Sequence, residues 1–262
     1  MFNEADGLRY YSFDYLQPMG VIHGIFTRHG GVSPAPWDSL NLGGTLGDER
    51  QNIIENRRRI FNVFGRPVES IFDVWQVHGT EIICADEPRP LNAPHQKADA
   101  ILTNRPGISL FMRFADCVPI LLYDPVKRVV GIVHAGWQGT VNKIAALTIR
   151  AMQKQYGSYP PYIFAGIGPS IGPDHYEVGP EVMTMVRKAF GETADLLISQ
   201  KDRKPHFDLW KANILALNDE GVEHIILSSI CTTCNSSDWY SHRGEHGRTG
   251  RFAAIIALSD QG

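Results

Sequence analysis

His78, Cys117 and His134 combine donor types and neighbourhoods suited to metal or nucleophile chemistry. His78 closes the run Ser70-Ile-Phe-Asp-Val-Trp-Gln-Val-His, while Cys117 and His134 sit at the outer ends of two apolar runs joined by Asp124-Pro-Val-Lys. One thiolate and two imidazoles would leave one position of a tetrahedral Zn²⁺ open to water or substrate, the arrangement of a catalytic site. The same proximity would let His134 serve as base to a Cys117 nucleophile without a metal. Spacing alone does not separate these readings from histidines that merely pack in the fold.

The apolar runs on either side of Asp124-Pro-Val-Lys read as a β-hairpin. If Tyr123 pairs with Arg128, Cys117 falls directly opposite His134, with Cβ atoms about 5 Å apart on one face. Pro119 argues against regular pairing out to Cys117, because it has no N–H for the ladder. A slip of one residue would turn Cys117 to the other face.

Other groups carry weaker signals. Cys231-Thr-Thr-Cys234 has the spacing of half a zinc site or of a redox pair. A second such pair is absent and Asn235-Ser-Ser-Asp is loop-like, so structural packing is the expected role. Cys84 reads as buried filler. The stretch Trp239 to Arg251 is basic, aromatic and glycine-rich, a composition that could hold a ring and an anion or serve as a solvated loop. Gly166-Ile-Gly has no helical run behind it at dinucleotide spacing, which excludes Rossmann binding.

The elements that must position these residues follow from periodicity. Val21–Thr27 reads as a strand opening into Arg28-His-Gly-Gly. Asp48, with Gln51 three residues on, predicts a capped helix with Ile53, Ile54, Ile60, Phe61 and Phe64 on its buried side. Arg57 and Arg58 read as its solvated face. Strands are expected at 70–78, 81–84, 98–103, 108–114, 162–165, 224–229 and 252–258. Thr140 reads as the cap of a helix running to Gly157, whose N-terminus could receive an anion. Further helices start at Pro180 and behind Asp208. With no repeat and no low-complexity linker, residues 1–262 read as a single compact α/β (α+β) domain with mixed β-sheets flanked by helices.

Composition narrows the function classes. Twenty-five basic and 28 acidic residues give a net charge of −3, which leaves no footprint for nucleic acid or an anionic membrane. Four scattered cysteines do not make a disulfide scaffold. The N-terminal residues lack the pattern of a signal peptide, and no apolar run approaches the ~18 residues of a membrane span. The expectation is a soluble, cytoplasmic protein.

A set of short motifs resembles the bacterial YfiH/YlmD-like laccase-domain family, whose members are labelled polyphenol oxidases or purine nucleoside phosphorylases. The motifs include Thr27-Arg-His-Gly-Gly-Val-Ser, Leu40-Asn-Leu-Gly, Glu55-Asn-Arg-Arg, Gln76-Val-His-Gly, Ala98-Asp-Ala, Ala115-Asp-Cys-Val-Pro, His134-Ala-Gly-Trp, Tyr176-Glu-Val-Gly, Tyr240-Ser-His-Arg and Thr249-Gly-Arg. The resemblance implies that His78, Cys117 and His134 hold a catalytic metal, Zn²⁺ with Cu²⁺ as the alternative. Arg28, Asn41, Gln76 and Arg243 are the candidate contacts to substrate and phosphate. Gln138 and His175 stand where the family usually has Arg and Cys.

The resulting expectation is a zinc-dependent enzyme that phosphorolyses adenosine, inosine and methylthioadenosine and deaminates adenosine, with a nucleoside and phosphate as its small-molecule partners. The alternatives are a copper-dependent polyphenol oxidase, a cysteine hydrolase acting on a peptidoglycan precursor, and a binding module with a structural zinc. A four-copper cluster uses His-x-His pairs, and none of the ten histidines forms one. A single copper remains compatible with one Cys and two His.

Overall fold

A computed structural model describes residues 1–259. Strands β1 (Phe2–Ala5), β2 (Leu8–Tyr11) and β3 (Val21–Phe26) lead to helix α1 (Arg50–Val63), then to β4 (Ile71–Asp73), β5 (Ile82–Cys84), β6 (Ala100–Thr103) and β7 (Ser109–Phe114). The hairpin β8 (Val118–Asp124) and β9 (Val129–Ala135) runs into α2 (Trp137–Val141) and α3 (Ile144–Tyr156). After these come β10 (Phe164–Ile167), α4 (Pro180–Phe190), β11 (Ile198–Lys201), β12 (Lys204–Phe207), α5 (Leu209–Asp219), β13 (His224–Leu227) and β14 (Phe252–Leu258).

Two six-stranded mixed sheets result, ordered β1-β2-β3-β14-β7-β4 and β13-β10-β8-β9-β6-β5. Alternation along the strands explains how they stack. Leu110, Met112 and Phe114 of β7 share a core with Leu121 and Tyr123 of β8 and with Val130 and Ile132 of β9, so the sheets pack face to face. The intervening Phe111 turns outward onto Ile60 and Phe61 of α1. Ile120, Leu122 and Val133 turn the other way onto α3 and α5. The layers therefore run helix, sheet, sheet, helices. Both faces of each sheet are covered, which is why the central strands read as unbroken apolar runs. Among the described residues no helix is long and apolar enough to cross a membrane.

Several local expectations are corrected. The hairpin forms, but Asp124 pairs with Val129 and Tyr123 with Val130, and His134 stands opposite Pro119 rather than Cys117. Arg128 takes a left-handed turn conformation at φ 51°, which keeps it out of the ladder. The displacement is two residues, and an even shift preserves which face a side chain occupies. Asp48 does not cap α1. Glu49 is its N-cap without a side-chain bond, while Asp48 accepts from the Glu49 N–H and from Asn41 and Asn52. Ile54 is exposed rather than buried. The helix expected from Thr140 is two helices, because Lys143 adopts φ 60° between them. Thr140 lies buried inside α2 and accepts a hydrogen bond from Asn213, so no helix end is available there for an anion. The run 70–78 is a strand only at Ile71–Asp73.

Candidate metal centre and its cleft

Three elements bring the histidines and the thiol together. His134 is the last residue but one of β9, Cys117 lies in the short connection from β7 to β8, and His78 sits at φ 59° in a loop outside the sheets. Their donor atoms lie within 4.8 Å of one another, and the two imidazole rings are 4.9 Å apart. Gly136 leaves room for this approach. A Cβ there would stand 3.0 Å from Cys117 Sγ and 3.0 Å from His78 Cδ2.

One carboxylate organises both histidines. Asp99 Oδ1 lies 2.7 Å from His134 Nδ1 and also accepts the His78 N–H at 3.0 Å. Its Oδ2 accepts the N–H groups of Val77 and Gly79. The loop that carries His78 is thus wrapped around the group that fixes the His134 ring, with Nδ1 turned to Asp99 and Nε2 left for a ligand. Burial opposes the charge on Asp99, but the His134 bond and the N–H donors outweigh it and hold the carboxyl below its ordinary range.

Cys117 and His134 polarise each other. Burial pushes the thiol up, yet the charge and hydrogen bond of His134, with help from His78, bring it down to about 6. Burial pushes His134 down, and the neighbouring thiolate and Asp99 raise it to about 9. A thiolate and a neutral imidazole are the forms that bind a metal, so an ion arriving there would displace the proton from His134 Nε2 while Asp99 keeps the one at Nδ1. Among the described residues this group has three donors and no fourth protein ligand. The donor set thus fits a thiophilic metal with one position left for a ligand.

A cleft of about 1250 Å³ opens onto the cluster. Eight arginines and two carboxylates line it, which makes it strongly positive in a chain whose net charge is −3. Three of these arginines surround the fully buried Asp73. Arg89 binds it at 2.7 Å, and Arg57 and Arg113 lie 3.7 and 4.0 Å away. Two positive charges remain uncompensated there, and Arg57 Nε is buried without a hydrogen-bond partner among the described residues. Arg57 therefore faces inward, contrary to the solvated face expected of it. Arg58 does remain at the surface, bonded to Glu55.

The other expected contacts divide. Gln76 and Arg243 line the cleft. Gln76 is clamped to the Arg113 backbone through both ends of its amide. The Arg243 N–H donates to Asp116 Oδ2 at 2.6 Å, and its guanidinium lies against Tyr176 and donates to Glu177 O. Arg28 is elsewhere, in a separate depression of about 280 Å³, bonded to Asp38 O, Ser236 O and Glu245 and lying over the Tyr240 ring. Asn41 is buried outside the cleft lining, where its amide oxygen accepts the N–H groups of Gly43 and Arg251.

The sequence reading missed Asp99, Asp116 and the arginines around Asp73. Asp99 is a lone acid opening an apolar strand and lies inside the Ala98-Asp-Ala motif, and neither signal names His134 as its partner. Asp116 precedes Cys117 at φ 84°, and its carboxylate takes hydrogen bonds from Thr232, Ser241 and Arg243. No periodicity marks a residue whose partners lie more than a hundred positions away.

Residues 22–259 match the family described as multi-copper polyphenol oxidoreductase laccase. The purine nucleoside phosphorylase YlmD of Bacillus subtilis is 36% identical over 249 residues, covering 92% of this chain and 89% of that protein. The purine nucleoside phosphorylase YfiH of Escherichia coli is 33% identical over 243 residues, covering 92% and 96%. The crystal structure of YlmD from Geobacillus stearothermophilus superposes with a TM-score of 0.92 at 33% identity, covering 98% of both chains. A domain matched along nearly its whole length, in sequence and in fold, places the chain in the laccase-domain family of YfiH- and YlmD-like proteins.

Proposed function

We propose that this chain is a zinc-dependent purine nucleoside phosphorylase acting on adenosine, inosine and methylthioadenosine, with adenosine deamination as a side activity. The observation that carries the reading is one cleft containing both a three-donor cluster and an uncompensated arginine group. The relatives named purine nucleoside phosphorylase support it from the side of sequence. Copper is the alternative metal; a single three-donor cluster suits one ion and not a multi-copper centre.

In phosphorolysis an oxygen of phosphate forms a bond to C1′ of the ribose while the bond from C1′ to the purine nitrogen breaks, and the purine leaves with that electron pair and gains a proton. Arg57 and Arg113 would bind and orient the dianion, with Arg89 and Asp73 holding their guanidiniums in place. Trp75, half exposed on the cleft wall, and Tyr176 offer ring faces for the base. Gln76 and Arg243, fixed by their backbone bonds, would hold the sugar and base edges. His78, Cys117 and His134 would hold the metal, and Asp99 would keep the His134 proton at Nδ1. Zn²⁺ bound there supplies Lewis acidity at the cleft wall.

The test is turnover of adenosine by the metal-loaded protein with and without phosphate. Adenine and ribose 1-phosphate are expected only with phosphate, and inosine is expected without it. A metal-loaded protein that consumes none of the three nucleosides in millimolar phosphate would overturn the reading.

A further inference from the structure

A second group of metal-ligating side chains lies outside the cleft. Asp174, His175, Cys231 and Cys234 place one donor atom each within 4.8 Å of the others, and none of the four lines the cleft. His175 Nδ1 stands 3.8 Å from Cys231 Sγ, 3.5 Å from Cys234 Sγ and 3.1 Å from Asp174 Oδ1. Zinc bonds of about 2.3 Å to sulfur and 2.0–2.1 Å to nitrogen or oxygen at tetrahedral angles set N···S edges of about 3.5 Å and N···O edges of about 3.3 Å. These three separations lie close to those edges. Both cysteines are free thiols.

We infer that these four residues form a second zinc site, a closed structural one. The surroundings suit a thiolate metal centre. The Gly172 N–H donates to Cys231 Sγ at 3.2 Å, the kind of bond that supports a ligating sulfur, and a Cβ at Gly172 would crowd both that sulfur and Asp174 Oδ1. Cys231 is buried, whereas Asp174 and Cys234 are exposed, so a metal can enter from solvent. A redox pair would need only the two thiols. The convergence of an imidazole and a carboxylate on them favours a cation.

The site would join two segments distant in sequence. Residues 172–178 carry Tyr176 into the cleft, and Arg243 donates to the Glu177 carbonyl within them. The turn at 231–234 is bonded to Asp116 through Thr232, beside Cys117. A zinc ion here would fix the outer wall of the cleft without touching a substrate. The inference stands apart from the phosphorylase reading, since its readout is metal content.

The experiment is metal quantification on protein purified with zinc and reductant. The wild type is expected to hold about two zinc ions per chain, and Cys234→Ser and His175→Ala about one each. His175→Cys, which substitutes one zinc donor for another, should retain about two. Cys117→Ala should hold about one, and its Co²⁺-loaded form should show thiolate-to-cobalt absorption that disappears on adding Cys234→Ser. The metal retained at Cys117 in the single variants serves as the internal measure of folding. A wild type with one zinc and a Cys117→Ala variant with none would overturn the site. So would a Cys234→Ser variant with the wild-type count, or a Cys231–Cys234 disulfide persisting under these conditions.

Discussion

The two thiol and imidazole clusters differ less in composition than in surroundings. At Cys117 the donors are three, His134 is buried, and a carboxylate braces the imidazole from behind. At Cys231 the donors are four, two of them exposed, and the carboxylate stands among them. Around a metal ion the first would keep a ligand position facing the cleft, and the second would close on itself. The contrast teaches that a ligand set acquires its role from the direction in which its carboxylate points. Asp99 points at the ring nitrogen away from the site, whereas Asp174 points into its site.

The largest test of the contrast removes one sulfur from each cluster. Cys117→Ala should abolish turnover, by about a thousandfold or more, and reduce the metal count by about one. Cys234→Ser should leave turnover within about tenfold and instead lower the thermal midpoint by roughly 2–6 °C. Equal losses of turnover in both would erase the distinction. Asp99→Asn tests the bracing. It should weaken metal binding at the Cys117 cluster by about 10- to 100-fold, measured by chelator competition, while leaving the affinity of the other cluster unchanged.

Arg57→Met asks whether the cleft, and not the metal cluster alone, defines the site. Loss of a charge-assisted contact should raise the KM for phosphate by about 10- to 100-fold with little change in metal content. An unchanged KM would remove Arg57 from the phosphate seat. The smallest effect concerns Asp73. Burial raises its carboxyl, but the His95 hydrogen bond and the charges of Arg57 and Arg113 bring it well below the usual carboxylate range. Its ionised form therefore adds stability that is complete above the unfolded value of about 3.9 and is lost as the pH falls further. Asp73→Asn should unfold at a lower temperature than the wild type at pH 7, and the gap should narrow below about pH 4.

What the sequence made legible tracks how local each signal is. The Asp124-Pro-Val-Lys turn announced the β8–β9 hairpin because its partners are neighbours in the chain, yet the register was two residues off. Arg128 turned left-handed, which no side-chain pattern reveals. The parity survived, so Cys117 and His134 still meet. Pro180 and Asp208 mark the starts of their helices, whereas Asp48 and Thr140 do not, because a side chain suited to capping can bond elsewhere, as Asp48 does to Asn41 and Asn52. Arg57 misled because a charge on a helix reads as surface until Asp73 is known to lie beneath it. His175 and Cys231 are brought together beside the bridge of Ser170 to Cys231, a contact between residues 61 positions apart that periodicity cannot encode.

The position of β14 carries a consequence for how the molecule is made. It is the last strand among the described residues and lies in the interior of its sheet, between β3 and β7. Strand β7 leads directly to Cys117, so its partner must have left the ribosome before that edge can be covered. Until then β3 and β7 present unpaired ladder groups, and contacts of such sequence separation form slowly. A metal site at Cys117 would therefore be completed only after β14 has left the ribosome and paired with β7.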